Sequence, residues 1–206
     1  MTPTEFSAPS LPLGAPLPAP TPSPELRVRL ASRRSAPAQA LTAPGPDAIQ
    51  ITEILTLGAR TPDHGKLTPW RFVVMGPDSR ADIAEHLSAM AVRKNLPAKA
   101  VAVLAKLTAA PVSILVISTA RPGPKPVWEQ ELSAGAVCMN LEHAASAFGF
   151  SSCWITDWYS YDPEAAALFG IVEGERIAGF IHIGTAPETP LERERPDIGV
   201  LTRYQP

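Results

Sequence analysis

Cysteine is scarce in this 206-residue chain: Cys138 and Cys153 are the only two. Two thiols cannot staple a small secreted scaffold, so a reducing, cytoplasmic setting is expected. Neither has a basic neighbour to lower its pKa, and both read as core residues rather than nucleophiles. No apolar run approaches the ~20 residues that cross a bilayer, so no membrane partner is expected. Neither sign of charge dominates. Lys+Arg number 18 and Asp+Glu 20, for a formal net charge of -2, without the basic excess that nucleic acid selects. The four histidines, His64, His86, His143 and His182, show neither His-x-His nor His-x-x-x-His spacing, and no metal site is expected. Also missing are a Gly-x-x-x-x-Gly-Lys-Ser/Thr loop, a Gly-x-Gly-x-x-Gly fingerprint and a Gly-x-Ser-x-Gly elbow. Their absence argues against a P-loop enzyme, a Rossmann dinucleotide site and an α/β-hydrolase.

Proline is what the chain has in excess, 24 in all, and eight of them fall within residues 1–24. Each fixes φ and removes a backbone donor, so the stretch reads as a disordered or polyproline II tail ahead of one folded domain, 25–206. The tail has no basic start and no unbroken apolar core, and does not read as a secretory signal. From Glu25 the pattern alternates between helical and strand periods. Helices are expected over 25–33, from Asp47 as N-cap to Gly58, from Asp78 as N-cap to Met90, over 96–107, over 127–148 and near 163–169. Strands are expected over 71–75, 112–118, 151–156 and 176–183. The interleaving implies an α/β or α+β chain with helices covering a sheet.

With triads and metal sites absent, polar clusters at element ends carry the chemistry. Arg33-Arg34-Ser35 joins two guanidiniums and a hydroxyl where the first helix gives way to a loop, a set suited to a phosphate monoester. Arg60-Thr61-Pro62-Asp63-His64-Gly65-Lys66-Leu67-Thr68-Pro69-Trp70 runs from a helix end into a strand, with two prolines and a glycine fixing its path. Loops so charged and so constrained more often carry function than fill space. Trp128-Glu129-Gln130-Glu131 opens the longest helix, where acids also suit the helix dipole.

In this order the clusters resemble the flavin-dependent nitroreductase superfamily, and within it the small bacterial NAD(P)H nitroreductases. The resemblance rests on Arg33-Arg34-Ser35, Ala59-Arg60-Thr61-Pro62-Asp63-His64, Thr68-Pro69-Trp70-Arg71-Phe72 and Trp128 to Gly135. Gly149-Phe150, Trp154 and Gly179-Phe180-Ile181-His182-Ile183-Gly184-Thr185 complete it. It implies an α+β (α/β-like) fold with a central mixed β-sheet flanked by helices, and a homodimer with FMN in the subunit interface, reduced by NAD(P)H. Arg33, Arg34 and Ser35 would meet the FMN phosphate and ribityl chain, joined by Arg193 and Arg195. Arg60, Asp63, His64 and Lys66 would reach the flavin from the partner, and Trp154, Ile155 and Thr156 would line its ring. The reaction implied is hydride transfer from NAD(P)H through flavin to a nitroaromatic, quinone or similar small-molecule acceptor. Another redox reaction on the same fold, or a flavin-binding adaptor without turnover, is the alternative. The sequence departs from many such proteins in placing Pro37 where they carry a basic residue near the flavin N1 edge; Lys66 is a candidate to restore that charge. The long helix, rich in Ala and Gly, fits a subunit interface.

Overall fold

The computed structural model describes residues 11–205. Four strands form one sheet: β1 (Trp70–Met75), β2 (Val112–Ser118), β3 (Ser151–Ile155) and β4 (Arg176–Gly184), in the order β1-β2-β4-β3. The helices are α1 (Pro24–Ser32), α2 (Ala48–Gly58), α3 (Pro77–Arg93), α4 (Ala98–Ala102), α5 (Ala105–Thr108), α6 (Val127–Ala147), α7 (Pro163–Ala167) and α8 (Ile198–Leu201).

β2 is the centre of the molecule, and its sequence explains why. Side chains alternate across a strand, so a run apolar at every position must be covered on both faces. Leu115 and Ile117 of β2 join Leu87, Met90, Leu107, Tyr159, Phe169 and Phe180 on the α3–α5 side. Ile114 and Val116 join Ile54, Val137, Leu141, Ile181 and Ile183 on the α2–α6 side. Three layers result, and α6 spans one face from end to end.

The α+β class is as expected, but the sheet is antiparallel throughout the described residues, not mixed. The α6 crossover does join two strands of the same direction, β2 and β3. β4 then inserts between them and pairs antiparallel to both. A second reversal comes from α3–α5, which return the chain to the end it left, setting Met75 against Ser113.

Element boundaries follow local chemistry. α1 begins one residue earlier than expected: Ser23 Oγ accepts from the Leu26 N–H at 3.1 Å, and Pro24 takes the first helical position, where its missing N–H costs nothing. Asp47 caps α2 as expected, in a reciprocal box with Gln50. Asp78 does not cap α3. Its place is inside the first turn, after Gly76 and Pro77, where its charge suits the helix dipole. The single helix expected over 96–107 is two, because the chain tightens to i→i+3 bonds from Val101 O to Leu104 N and from Val103 O to Lys106 N. Beyond expectation, Arg80 is fully buried and donates to the carbonyls of Gly76, Leu107, Ala110 and Pro111, tying α3 to α5 and the entry of β2.

Candidate functional site

α1 ends at Arg33, whose ψ of 128° turns the chain out of the helix. The next residues run beside β3: the Ala36 N–H donates to Ser152 O at 3.0 Å, and Thr42 pairs with Thr185. That path sets three side chains in a half-buried row and brings the C-terminal segment onto them. Arg33 Nη1 donates to Ser35 Oγ at 3.4 Å, Arg34 Nε donates to Leu191 O at 2.8 Å, and Arg195 Nη2 donates to Arg33 O at 3.2 Å. Arg33, Arg34, Ser35 and Arg195 therefore meet across more than 150 residues of sequence. Three guanidiniums with a hydroxyl make a donor set matched to phosphate oxygens. Arg193 lies on the same segment, but among the described residues its side chain has no hydrogen bond or ion pair; only its backbone N–H is engaged, by Glu192.

Behind this row stands Glu142 of α6, 5% exposed. Its carboxylate lies 3.6 Å from Arg33 Nη1 and accepts from Ser152 Oγ at 3.4 Å. The Trp154 N–H reaches it as well. Burial pushes this carboxyl above the usual carboxylate range, against the opposing pull of Arg33.

Past Ser152, β3 carries the second expected group. Trp154 turns its indole across the sheet, donating from Nε1 to Ala178 O at 3.1 Å. A β-carbon on Gly135 of α6 would stand 3.8 Å from its ring. Ile155 is half-buried opposite Phe180. Thr156, just beyond the strand, shares a 2.7 Å hydrogen bond with the Tyr161 hydroxyl.

Asp63 shapes the 60–68 loop from within: its carboxylate accepts from the Leu67 and Thr68 N–H groups at 3.1 and 2.7 Å. This staple holds a turn in which Gly65, Lys66 and Thr68 all have positive φ, with Lys66 at 55°. His64 Nδ1 donates to Glu129 Oε2 at 2.5 Å, Ser133 Oγ to Pro62 O at 2.8 Å and Asn140 Nδ2 to Thr61 Oγ1 at 2.8 Å, so α6 carries the loop. Arg60 and Lys66 are exposed, and their side chains make no hydrogen bond or ion pair among the described residues. A cavity of about 190 Å³ opens beside the loop, walled by Leu67, Pro69, Arg121, Pro124 and Gln130. Gln130 braces that wall, accepting from the Arg121 N–H and donating to the carbonyls of Arg121 and Lys125.

Within one chain the two clusters make no direct bond. Glu129, which holds His64, and Glu142, which holds Arg33, are thirteen residues apart on one helix, about 20 Å along its axis, while Thr61 at the near end of the loop meets Asn140, two residues from Glu142. Among the described residues no hydrogen bond or ion pair joins the 60–66 loop to residues 33–35, 154–156 or 191–195.

Both cysteines are buried and free, as expected. Burial pushes Cys138 up to about 12 and Cys153 to about 11, so neither is a nucleophile near neutrality. Among the described residues no group of three potential ligands could hold a metal ion, and no helix is long and apolar enough to cross a membrane. The sequence reading missed Glu142. Its signal was a lone acid one turn after Cys138 on an otherwise apolar helix stretch.

A family model described as "Nitroreductase family" matches residues 30–185. "Putative NAD(P)H nitroreductase YdjA" of Escherichia coli (strain K12) is 34% identical over 158 residues, 76% of this chain and 85% of that protein. The "Putative NAD(P)H nitroreductase" of Haemophilus influenzae is 36% identical over 168 residues, 80% and 90% of the two chains. A nitroreductase-like protein from Bacillus cereus superposes with a TM-score of 0.76 at 21% identity, over 91% of this chain and 99% of the other. A nitroreductase from Bacteroides fragilis with bound FMN superposes with a TM-score of 0.70 at 22% identity, over 89% and 100%. The order of the motifs, the antiparallel sheet crossed by one long helix, and the match over residues 30–185 agree: this chain belongs to the nitroreductase family.

Proposed function

We propose that the chain is an FMN-dependent oxidoreductase that takes hydride from NAD(P)H and passes reducing equivalents to a nitroaromatic, quinone or similar acceptor, working as a homodimer with two shared sites. The observation that carries this reading is the convergence of Arg33, Arg34, Ser35 and Arg195, a donor set suited to phosphate drawn from two segments far apart in sequence. It is supported by the bound FMN of the Bacteroides fragilis relative and by the names of the curated ones.

When bound, the flavin would supply the two-electron chemistry, which is why the chain needs no triad or metal of its own. The residues bind and orient. Arg33, Arg34 and Arg195 would hold the phosphate by charge-assisted bonds, Ser35 would add a hydroxyl donor, and Arg193 would stand near enough to strengthen the local positive field. Trp154, Ile155 and Thr156 would form one wall for the ring.

The 60–66 loop is read as serving the partner's flavin rather than its own chain's: among the described residues no hydrogen bond or ion pair joins it to the arginine row, and its His64 end meets α6 at Glu129, about 20 Å along the helix from Glu142. A two-fold partner supplies it instead, bringing Arg60, His64 and Lys66 to the ring. Asp63 then shapes the loop rather than touching the ligand. The surfaces left open by a single chain agree with such a partner. α1 buries no residue, and Trp128 and Leu132 on α6 are 66% and 53% exposed.

The test is the absorbance spectrum of purified protein, before and after NADH or NADPH under anaerobic conditions. A bound flavin that bleaches with either nucleotide, and then recovers with a nitroaromatic or quinone, is the expected result. A colourless protein that takes up no added FMN removes the reading. Sedimentation of the flavin-loaded form should give about twice 21.9 kDa.

A further inference from the structure

Glu142 stands behind the arginine row, 5% exposed, and among the described residues its one cation within 4.0 Å is Arg33. The Arg33 side chain is 30% exposed. One edge of its guanidinium is turned to the carboxylate, and the group also touches Ser35 in the row. A phosphate monoester at pH 7 carries between one and two negative charges. Seated on the row, it would draw on the same guanidinium that neutralises Glu142. A solvated carboxylate would lose little by this, because water would take over; a buried one has no such substitute.

The other groups around Glu142 offer no relief. Cys138 of α6 and Cys153 of β3 are protonated by burial, at about 12 and about 11, and carry no charge near neutrality. His143, the next residue of α6, is half-buried and attracts the carboxylate more weakly than Arg33 does. Arg34 and Arg195 are turned to Leu191 O and to Arg33 O and Glu192. The remaining contacts, Ser152 Oγ–H and the Trp154 N–H, are neutral donors.

We infer that Glu142 is a proton site coupled to the cofactor's phosphate: charged and holding Arg33 when the row is empty, and protonated as a phosphate monoester takes Arg33 over. The inference rests on the flavin-phosphate reading above. Burial already pushes the Glu142 carboxyl upward, so it starts nearer to neutral pH than an ordinary carboxylate. The proton comes from solvent and returns to it when the ligand leaves. A group whose affinity for protons is higher in the complex makes binding tighter as pH falls towards its free-state value. The flavin would therefore be released more readily in alkali.

The experiment is calorimetric titration of flavin-free full-length protein with FMN at pH 7.5, in buffers of different ionisation enthalpy. At that pH the ligand phosphate, with a second pKa near 6, is already a dianion and contributes few protons of its own. Wild type should take up on the order of half a proton per FMN. Glu142→Gln, an isostere of the protonated acid, should take up close to none and bind roughly three-fold or more tightly at this pH. The two affinities should converge as pH falls and wild type becomes protonated as well. Riboflavin, which lacks the phosphate, should show no uptake with either protein. Equal proton counts and parallel pH profiles for wild type and Glu142→Gln would overturn the inference while leaving the flavin reading intact. Failure of wild type to bind FMN at all would instead strike the flavin reading. Should Glu142→Gln not fold, the wild-type comparison of FMN with riboflavin decides alone: no uptake with FMN overturns the inference.

Discussion

The indole of Trp154 lies across the bare α-carbon of Gly179, so close that a β-carbon there would fall 2.0 Å from Nε1 and 2.3 Å from Cδ1. Glycine is required here for space rather than for backbone freedom. Gly179→Ala must displace either the tryptophan or the strand, an overpacking cost of about 1–3 kcal/mol. Urea denaturation should show that loss, and Gly179→Ala combined with Trp154→Ala should recover most of it relative to Trp154→Ala alone. Simple additivity of the two changes would mean that the contact does not set the requirement.

The arginine row makes a prediction about ligand affinity. Removing one charge-assisted bond to phosphate typically costs about 1.5–3 kcal/mol, so Arg33→Ala and Arg34→Ala should each weaken FMN binding roughly ten-fold or more. Arg195 also binds the Arg33 carbonyl, so Arg195→Ala should loosen the row as well as remove a charge. Fluorescence titration of the flavin-free protein checks all three. Unchanged affinity in every variant would put the phosphate elsewhere.

Acid should find His182. The ring is fully buried, stacks on Phe180, and meets Ser113 Oγ at 2.6 Å through Nδ1, while Nε2 has no partner among the described residues. Burial, with Arg80 nearby, depresses its pKa from 6.5 to about 3. The unfolded chain therefore binds a proton that the folded one refuses between those values. The stability this confers is complete above about 6.5 and is lost as pH falls towards 3, with a slope of up to about 1.4 kcal/mol per pH unit. Denaturation midpoints of wild type and His182→Gln, compared from pH 7 to pH 4, should differ in that slope. Parallel curves would mean that the carboxylates alone govern acid sensitivity.

Lys66 carries a redox prediction. Pro37 offers no charge at the flavin N1 edge, and Lys66 is an exposed cation on the loop that the partner is proposed to present. A cation beside that edge stabilises an anionic reduced ring over the neutral oxidised one. Lys66→Met should lower the flavin midpoint potential on the order of 20 mV, a modest figure because the loop is open to solvent. A potentiometric titration at unchanged flavin occupancy reads it directly, and no shift removes Lys66 from the edge.

What the sequence disclosed and what it withheld divide along physical lines. The strand 112–118 was legible to the residue, because a run apolar at every position has few other uses. The Asp47 cap and the long helix were legible from spacing alone. The loop-shaping part of Asp63 was not legible, because its type suits a ligand as well as it suits two loop N–H groups, and composition does not show which backbone donors lack partners. The antiparallel sheet escaped because the order of elements does not reveal that β4 slips between β2 and β3. Glu142 escaped for a similar reason: its partners, Arg33 and Ser152, are brought to it only by the Ala36–Ser152 bond and the path of β3.

The length of α6 has a genetic consequence. In the proposed dimer each copy of this helix belongs to two different workplaces, its first turns steadying the loop lent to the neighbour and its later turns backing the chain's own arginine row. A chain damaged in the row and a chain damaged in the loop are then not equivalent cripples. Paired together, they form one site carrying both defects and one carrying neither. Co-expression of an Arg33 variant with a loop variant should restore one of the two flavin sites in each mixed dimer, about a quarter of all sites if the chains pair at random, although neither variant alone has any.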